Sequence, residues 1–154
     1  MSTNTRIDIG GAMTSAQFNE IREVISLTAG DEDFDYSWKT RVEGTSFEFE
    51  LTNFDEARID TITELIEDSG CTYKTTTKKS NEEFQDIEWK KGGEIIRYQC
   101  VNDNPLIFIS EINGLLAVGL FEDRLIEIAR AEKSLPKFTI ADSARERIAH
   151  KITI

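Results

Sequence analysis

Three aspartates at alternate positions raise the question of a calcium site. Asp31, Asp33 and Asp35 match the first, third and fifth positions of an EF-hand loop, whose oxygen ligands bind calcium. The rest of the loop does not fit, because Tyr36 stands where the turn requires glycine and Val42 where a bidentate glutamate is needed. We therefore interpret this run as a solvated acidic loop and expect no metal there, with an irregular calcium site as the alternative.

Other residue types that perform catalysis occur without the partners that catalysis needs. His150 is the only histidine, and no cysteine or second histidine accompanies it as a ligand set or triad. Cys71 and Cys100 show no Cys-x-x-Cys spacing, which favours reduced core thiols over a zinc site or a disulfide framework. We predict a protein that is not an enzyme and uses no cofactor. A carboxylate pair assembled by the fold is the alternative that spacing does not reveal.

Negative charge is the most informative property of the sequence. The net charge is −11, and residues 1–70 contain 16 Asp and Glu against 5 Lys and Arg, which equals the whole excess. Residues 71–100 carry +1 and residues 101–154 carry −1. The electrostatic field of this negative charge repels nucleic acid and anionic lipid and attracts basic proteins, including those that normally bind nucleic acid. We expect a basic protein partner and no direct binding to nucleic acid or membrane.

Length and composition predict one globular domain. The 154 residues suffice for a sizeable core, and 39% apolar with 31% charged residues is typical of a folded protein. Residues 1–104 are predicted to form the sheet core and residues 105–154 an extension packed on it. The N-terminus has no apolar targeting segment and no run approaches the ~20 apolar residues of a membrane span, so we expect a cytoplasmic location.

The first predicted elements are a strand and a helix. Residues 6–9 alternate weakly between apolar and polar types and are followed by Gly10-Gly11, which predicts a short strand that ends in a turn. Thr14 and Gln17 have the spacing of a capping box, and apolar residues then repeat at helical intervals. We expect this helix to end near residues 29–30.

The next elements complete an α+β pattern. Residues 36–42 and 45–51 are predicted to form a hairpin, and Asn53 to cap a second helix that ends at Gly70. Residues 71–78 have the composition of a strand. The order strand-helix-strand-strand-helix-strand matches the ferredoxin-like fold, an antiparallel sheet with both helices on one face.

The second half extends this pattern by a hairpin and a helical segment. In residues 105–121, Asn113-Gly114 between two apolar runs favours a hairpin, although Ser110 in the position of a cap is compatible with a helix. Apolar periodicity predicts a later helix with Leu125, Ile126, Ile128 and Ala129 inward. The predicted elements are a hairpin with strands at 87–89 and 94–101, a helix at 122–133, a strand at 138–140 and a last helical turn at 143–150.

Acidic side chains form the candidate partner-binding site. In the second predicted helix they recur at spacings of three and four, so that like charges share one face at a cost of a few tenths of a kcal/mol per pair. Like charges that repel each other along a helix, without an evident gain in stability, indicate a functional surface. A face that only makes the protein soluble is the alternative. In the preceding strand, two glutamates alternate with buried positions. The candidate residues are Asp31, Glu32, Asp33, Asp35, Glu48, Glu50, Glu56, Asp60, Glu64 and Glu67.

These acidic features resemble those of small inhibitors that phages and mobile elements encode against host defences, including anti-CRISPR and DNA-mimicking anti-restriction proteins. The resemblance lies in the stripe Glu56, Asp60, Glu64 and Glu67 and in the acidic run 31–35. Carboxylates four residues apart on a helix lie about 6 Å from one another, close to the spacing of phosphates along a nucleic-acid strand. The resemblance implies a non-enzymatic inhibitor of a nucleic-acid-binding complex. A small-molecule-binding domain or enzyme and an assembly subunit are the alternative functions.

Overall fold

The computed structural model describes residues 3–29, 46–52, 54–79, 81–133 and 135–142. Within these residues it contains seven strands and four helices. In chain order they are β1 (Thr3–Met13), α1 (Ser15–Ala29), β2 (Phe47–Thr52), α2 (Glu56–Asp68), β3 (Thr72–Lys79), β4 (Phe84–Lys91), β5 (Glu94–Val101), β6 (Asn104–Leu106), α3 (Ile109–Val118), α4 (Phe121–Glu132) and β7 (Phe138–Ile140).

The strands form one open sheet in the order β2-β1-β3-β4-β5-β6. All neighbours along this path are antiparallel, and β7 joins the end of β1 in parallel. β1 therefore lies between β2 and β3, the strands at either end of α2. The predicted α+β class with a largely antiparallel sheet is confirmed. The ferredoxin-like topology stays a prediction, because its strand at 36–42 lies outside the described residues.

α1 and α2 cover one face of the sheet. The predicted capping box is confirmed, since Thr14 N–H donates to Gln17 Oε1 at 2.9 Å and Gln17 N–H donates to Thr14 Oγ1 at 3.1 Å. Alternate residues of β1, β2 and β3 point to this face, and the apolar side chains of both helices pack against them. This first core contains Ile7, Ile9, Met13, Phe18, Ile21, Ile25, Phe47, Phe49, Leu51, Phe54, Ile62, Ile66, Cys71, Tyr73, Phe138 and Ile140.

The cap of α2 differs from the prediction. Asn53 lies outside the described residues, and the helix is capped by Asp55, whose Oδ1 accepts a hydrogen bond from Arg58 N–H at 2.9 Å. Glu56 is therefore the first residue of the helix, whereas a cap at Asn53 would have made it the third. Gly70 ends the helix as predicted, with a φ of +81° that favours glycine.

Gly10-Gly11 is not a turn, and this prediction is wrong. β1 continues to Met13, because Gly11 to Met13 pair with β7 after β3 has ended its pairing at Gly10. A Cβ on Gly10 would lie 2.8 Å from Leu135 Cβ and would also meet the carbonyl oxygen of Pro136. The glycine thus permits a close chain approach within the strand, which its sequence signal does not distinguish from a turn.

The opposite face of the sheet bears a second core. The register places Trp89 on the face of Lys74, whereas Tyr73 shares the first face with Lys90. α4 packs on the second face through Ile128 and Ala131. The strand residues of this core are Ile87, Trp89, Ile96, Tyr98 and Cys100.

The hairpin predicted at 105–121 is wrong. The turn lies earlier, at Asn102 and Asp103, whose φ values of 51° and 64° let β5 fold back onto β6. Asn113-Gly114 instead lies inside α3, which ends at Gly119 in the left-handed conformation. The helix prevails because the flanking apolar runs are continuous and do not alternate, so the Asn-Gly pair has no strands to join. Ser110 lies inside the helix and does not cap it.

α4 confirms the helix predicted at 122–133 but buries a different face. Ile128 is buried as expected, together with Ala131, whereas Leu125 and Ile126 are 44% and 60% exposed and Ala129 is exposed. The segment 143–150 lies outside the described residues. None of the helices in the described part of the chain is long and apolar enough to cross a membrane.

Candidate functional site

The outer side of α2 is acidic. Ile62 and Ile66 point into the first core and fix the rotation of the helix. Glu56, Asp60 and Glu64 are consequently all exposed, as their spacing predicts. Within the described residues none of the three is engaged in an ion pair, since Arg58 pairs with Asp55 across 3.9 Å.

α1 contributes acidic residues to the same side of the molecule. Its Glu20 and Glu23 are exposed, and α1 packs beside α2 in the first core. We use the term acidic helix face for six of the exposed carboxylates of the two helices, which are Glu20, Glu23, Glu56, Asp60, Glu64 and Asp68. The two helices contain only two basic residues, Arg22 and Arg58. Sequence reasoning missed the contribution of α1 because it considered each helix separately.

Glu67 is exposed as predicted, but unlike the residues of the acidic helix face it is engaged within the protein. Its Oε1 accepts a hydrogen bond from the Tyr73 hydroxyl at 2.8 Å and pairs with the Lys90 ammonium group. The hydrogen bond from Lys90, followed by that from Tyr73, lowers the pKa of Glu67. Burial and the nearby Glu67 carboxylate raise the pKa of Tyr73. Glu67 therefore ties α2 to the sheet and is not a free carboxylate for a partner.

Glu48 is also engaged within the protein. Asp8 and Glu48 are direct cross-strand partners, and their side chains are hydrogen-bonded to each other. Burial, the hydrogen bond to Glu48 and the charge of Glu48 raise the pKa of Asp8 to about 6, although Arg6 and Lys74 act in the opposite direction. The two carboxylates therefore share one proton below about pH 6 and lose it as the pH rises to neutral. Glu48 is half-buried in this pair, whereas Glu50 is exposed as predicted.

A second Lys-Glu-Tyr cluster lies on the other face of the sheet. Glu132 of α4 accepts from the Tyr98 hydroxyl and from Lys74 Nζ, the latter at 3.1 Å. Burial and the nearby Glu132 raise the pKa of Cys100 to about 11, and burial also raises the pKa of Cys71. Both cysteines are free and buried, in agreement with the prediction of reduced core thiols. These thiols are protonated at neutral pH and poor nucleophiles.

A groove of about 450 Å³ lies between strands β3 to β6 of the sheet and the segment that contains α3 and α4. Two arginines of the groove pair with two of its glutamates, Arg97 Nε with Glu88 at 2.8 Å and Arg124 Nε with Glu111 at 3.2 Å. Arg124 also donates to the Arg97 carbonyl oxygen at 2.6 Å and so satisfies the edge of β5. The lining residues are Thr75, Thr77, Asp86, Ile87, Glu88, Arg97, Tyr98, Gln99, Leu106, Phe108, Glu111 and Arg124.

The remaining candidate residues lie elsewhere. Asp31, Glu32, Asp33 and Asp35 are outside the described residues. In the ranges that the structure describes, no group of three or more His, Cys, Asp or Glu side chains is arranged to hold a metal ion. Comparison with known proteins finds no matching family model, no matching curated protein and no matching solved structure.

Proposed function

We propose that this is a non-enzymatic protein-binding protein whose acidic helix face engages a basic partner, such as a nucleic-acid-binding protein that it inhibits. The observation that supports this most strongly is the shared orientation of α1 and α2. Six exposed carboxylates lie on one side of the molecule, in two helices that contain only two arginines. Clustered like charge is unfavourable in the free protein and becomes favourable against a basic surface.

The proposed binding is steered by charge. Exposed charges act over about one Debye length, which is ~8 Å at physiological ionic strength. The association rate should therefore fall steeply as salt is added, whereas the dissociation rate should change less. Stopped-flow or surface-based kinetics at several salt concentrations measure this. An association rate that is indifferent to salt would contradict the proposal.

The decisive experiment is a double charge reversal in α2. Asp60→Lys with Glu64→Lys creates opposite-charge neighbours along the helix, so the free energy of unfolding should stay level or rise slightly. Binding should weaken by about 2 kcal/mol, roughly thirtyfold, because two attractions become repulsions. The matched control is Glu82→Lys with Glu83→Lys, which makes the same charge change at exposed positions between β3 and β4.

Capture from a lysate of the source organism identifies the partner. The wild type, the α2 double variant and the control serve as baits, and mass spectrometry identifies the bound proteins. The proposal predicts a basic nucleic-acid-binding protein that the wild type and the control retain and the α2 variant loses. If all three baits captured the same proteins, the acidic helix face would have no role in binding and would serve only to keep the protein in solution.

A small-molecule-binding function is the second candidate, and the groove favours it. Its volume of about 450 Å³ lies in the range of roughly 300–1,000 Å³ that is usual for ligand pockets. A metabolite that raises the melting temperature of the wild type, and does so less for Phe108→Ala, would support this function. Phe108 is suited to the test because it lines the groove and is 48% exposed.

We also retain the ferredoxin-like topology as a proposal. Two features support it: β1 lies between β2 and β3, and α1 and α2 share one face of the sheet. An experimental structure that shows how residues 36–42 pair with the sheet tests it.

A further inference from the structure

Exposed apolar side chains are concentrated in one segment of the chain. Nine large hydrophobic residues are exposed among the described residues, and seven of them fall within residues 108–126. Monomeric proteins scatter exposed apolar residues singly, whereas concentrated ones mark an interaction site. These seven are Phe108, Ile109, Leu116, Val118, Leu120, Leu125 and Ile126.

α3 is the centre of this segment. It is a ten-residue helix without a single buried residue, although most of its side chains are apolar. Ile109, Leu116 and Val118 are 76%, 59% and 66% exposed, and Leu120, just after the helix, is 49% exposed. We call these four residues the α3 surface. An amphipathic helix normally buries its apolar residues. α3 contacts α4, but the side that exposes these residues is covered by nothing within the described residues.

α3 and the residues directly around it are also nearly free of charge, although Glu122 and Asp123 follow at the start of α4. Asn104 to Phe121 contains one charged residue, Glu111, in a chain of net charge −11. Glu111 is already paired with Arg124 at 3.2 Å. Two copies of this chain repel each other mainly through residues 1–70, which hold the whole negative excess. They can approach here without desolvating an unpaired carboxylate.

We propose that the α3 surface is the interface through which two copies of this chain form a symmetric dimer. A twofold contact brings the same patch of both copies together, and an uncharged apolar patch is complementary to itself. A basic partner would find no opposite charge on this surface. The dimer interface is therefore distinct from the acidic helix face and does not depend on the function proposed for that face.

The available area agrees with a reversible dimer. Four apolar residues that are half to three-quarters exposed supply roughly 100 Å² each, or about 400 Å² per copy. Homodimer interfaces are about 65% apolar, which implies about 600 Å² per copy and about 1,200 Å² in total. This total is near the lower limit of roughly 1,200 Å² for stable specific interfaces. We therefore expect an equilibrium that depends on protein concentration in the micromolar range.

The shape of α3 suits helix-to-helix contact. Ser110, Gly114 and Ala117 follow one another at spacings of four and three, so these small exposed residues share one side of the helix. Ile109 and Leu116 are seven residues apart, so they lie above one another about two helical turns apart. They flank the small residues and form a ridge. The ridge of one copy can fit against the small residues of the other, which lets the helix axes approach to about 8–10 Å.

Sedimentation velocity over low to high micromolar concentrations tests the proposal. The test variants are Leu116→Glu and Gly114→Glu, and each should raise the dimer dissociation constant at least about tenfold, because glutamates would face each other across the twofold axis. Both should fold, because Leu116 is exposed and a Cβ added at Gly114 meets nothing within 4 Å. Ile95→Glu is the matched control, since Ile95 is 42% exposed on β5.

The proposal requires that the wild type and Ile95→Glu dimerise over the same concentration range and that both α3 variants need at least about tenfold higher concentration to do so. It is overturned if the wild type is monomeric throughout, or if the α3 variants dimerise like the wild type. If the wild type is monomeric, the α3 variants distinguish two other roles for the α3 surface. Loss of a captured host protein only in the α3 variants would indicate a different partner. Lower unfolding stability only in those variants would indicate a cover within the same chain.

Discussion

Neutralising Asp8 should stabilise the protein at neutral pH. Asp8 is opposite Glu48 in the sheet, and its side chain is only 13% exposed. Ionising Asp8 places a second negative charge beside Glu48 in a site that water scarcely reaches. Asp8→Asn keeps the size of the side chain and can still donate a hydrogen bond to Glu48, but it removes this repulsion.

The magnitude follows from the pKa of Asp8, which rises from an ordinary value of 3.8 to about 6 on folding. Below pH 3.8 the carboxyl is protonated in both states, and it contributes no penalty. As the pH rises from 3.8 through 6, the unfolded chain releases the proton before the folded protein does, so stability is lost. A shift of this size corresponds to about 3 kcal/mol of stability lost by neutral pH. The attraction of Arg6, which lies 3.5 Å from Asp8, lowers this pKa and is already included in the shift, so we expect a gain of about 2–3 kcal/mol.

Chemical denaturation of the wild type and the variant at intervals between acidic and neutral pH measures this gain. The difference in unfolding free energy should be small at the acidic end, grow through the interval from 3.8 to 6 and then level off. Asp60→Asn is the control, because Asp60 is exposed and its replacement should change stability by less than about 0.5 kcal/mol at every pH. A difference for Asp8→Asn that is the same at all pH values would refute the reasoning.

Two further substitutions test the packing of β1 and its neighbours. Thr76→Val should raise the unfolding free energy by about 1–2 kcal/mol in denaturant titrations, because the Thr76 hydroxyl is buried and has no hydrogen-bond partner among the described residues; a loss of stability would show that the hydroxyl is satisfied. Gly10→Ala should cost about 1–3 kcal/mol, since its Cβ would lie 2.8 Å from Leu135 Cβ. Gly93→Ala, with open space around it, should lack this penalty, and equal effects of the two glycine substitutions would contradict the steric argument.

Local patterns in the sequence were sufficient wherever neighbouring residues decide the structure. The capping box of Thr14 and Gln17 forms as its spacing predicts, because both hydrogen bonds join residues three apart. Phe47 and Phe49 are buried on one side of β2, as their alternation predicts. The apolar stripe of α2 likewise fixed the exposure of Glu56, Asp60 and Glu64.

The sequence was insufficient where a residue's role depends on a distant part of the chain. Glu67 has the same spacing as the exposed acids of α2, but it lies within reach of Lys90, 23 positions later. The hairpin predicted around Asn113-Gly114 failed for a different, local reason, because the apolar runs on either side of the pair do not alternate and form α3 instead of strands. The spacing of the acids along α2, in contrast, contains no information about the pairing of Glu67 with Lys90.

By itself, then, the sequence determined the α+β class, the segregation of negative charge and the faces of α1 and α2 that are buried. The tertiary structure alone decided which carboxylates remain available. Cross-strand register placed Glu48 opposite Asp8, and the packing of α2 on the sheet brought Glu67 to Tyr73. The physical reason is that periodicity fixes the side to which a residue points, whereas the pairing of charges requires atoms within about 4 Å, a distance that only the folded chain sets.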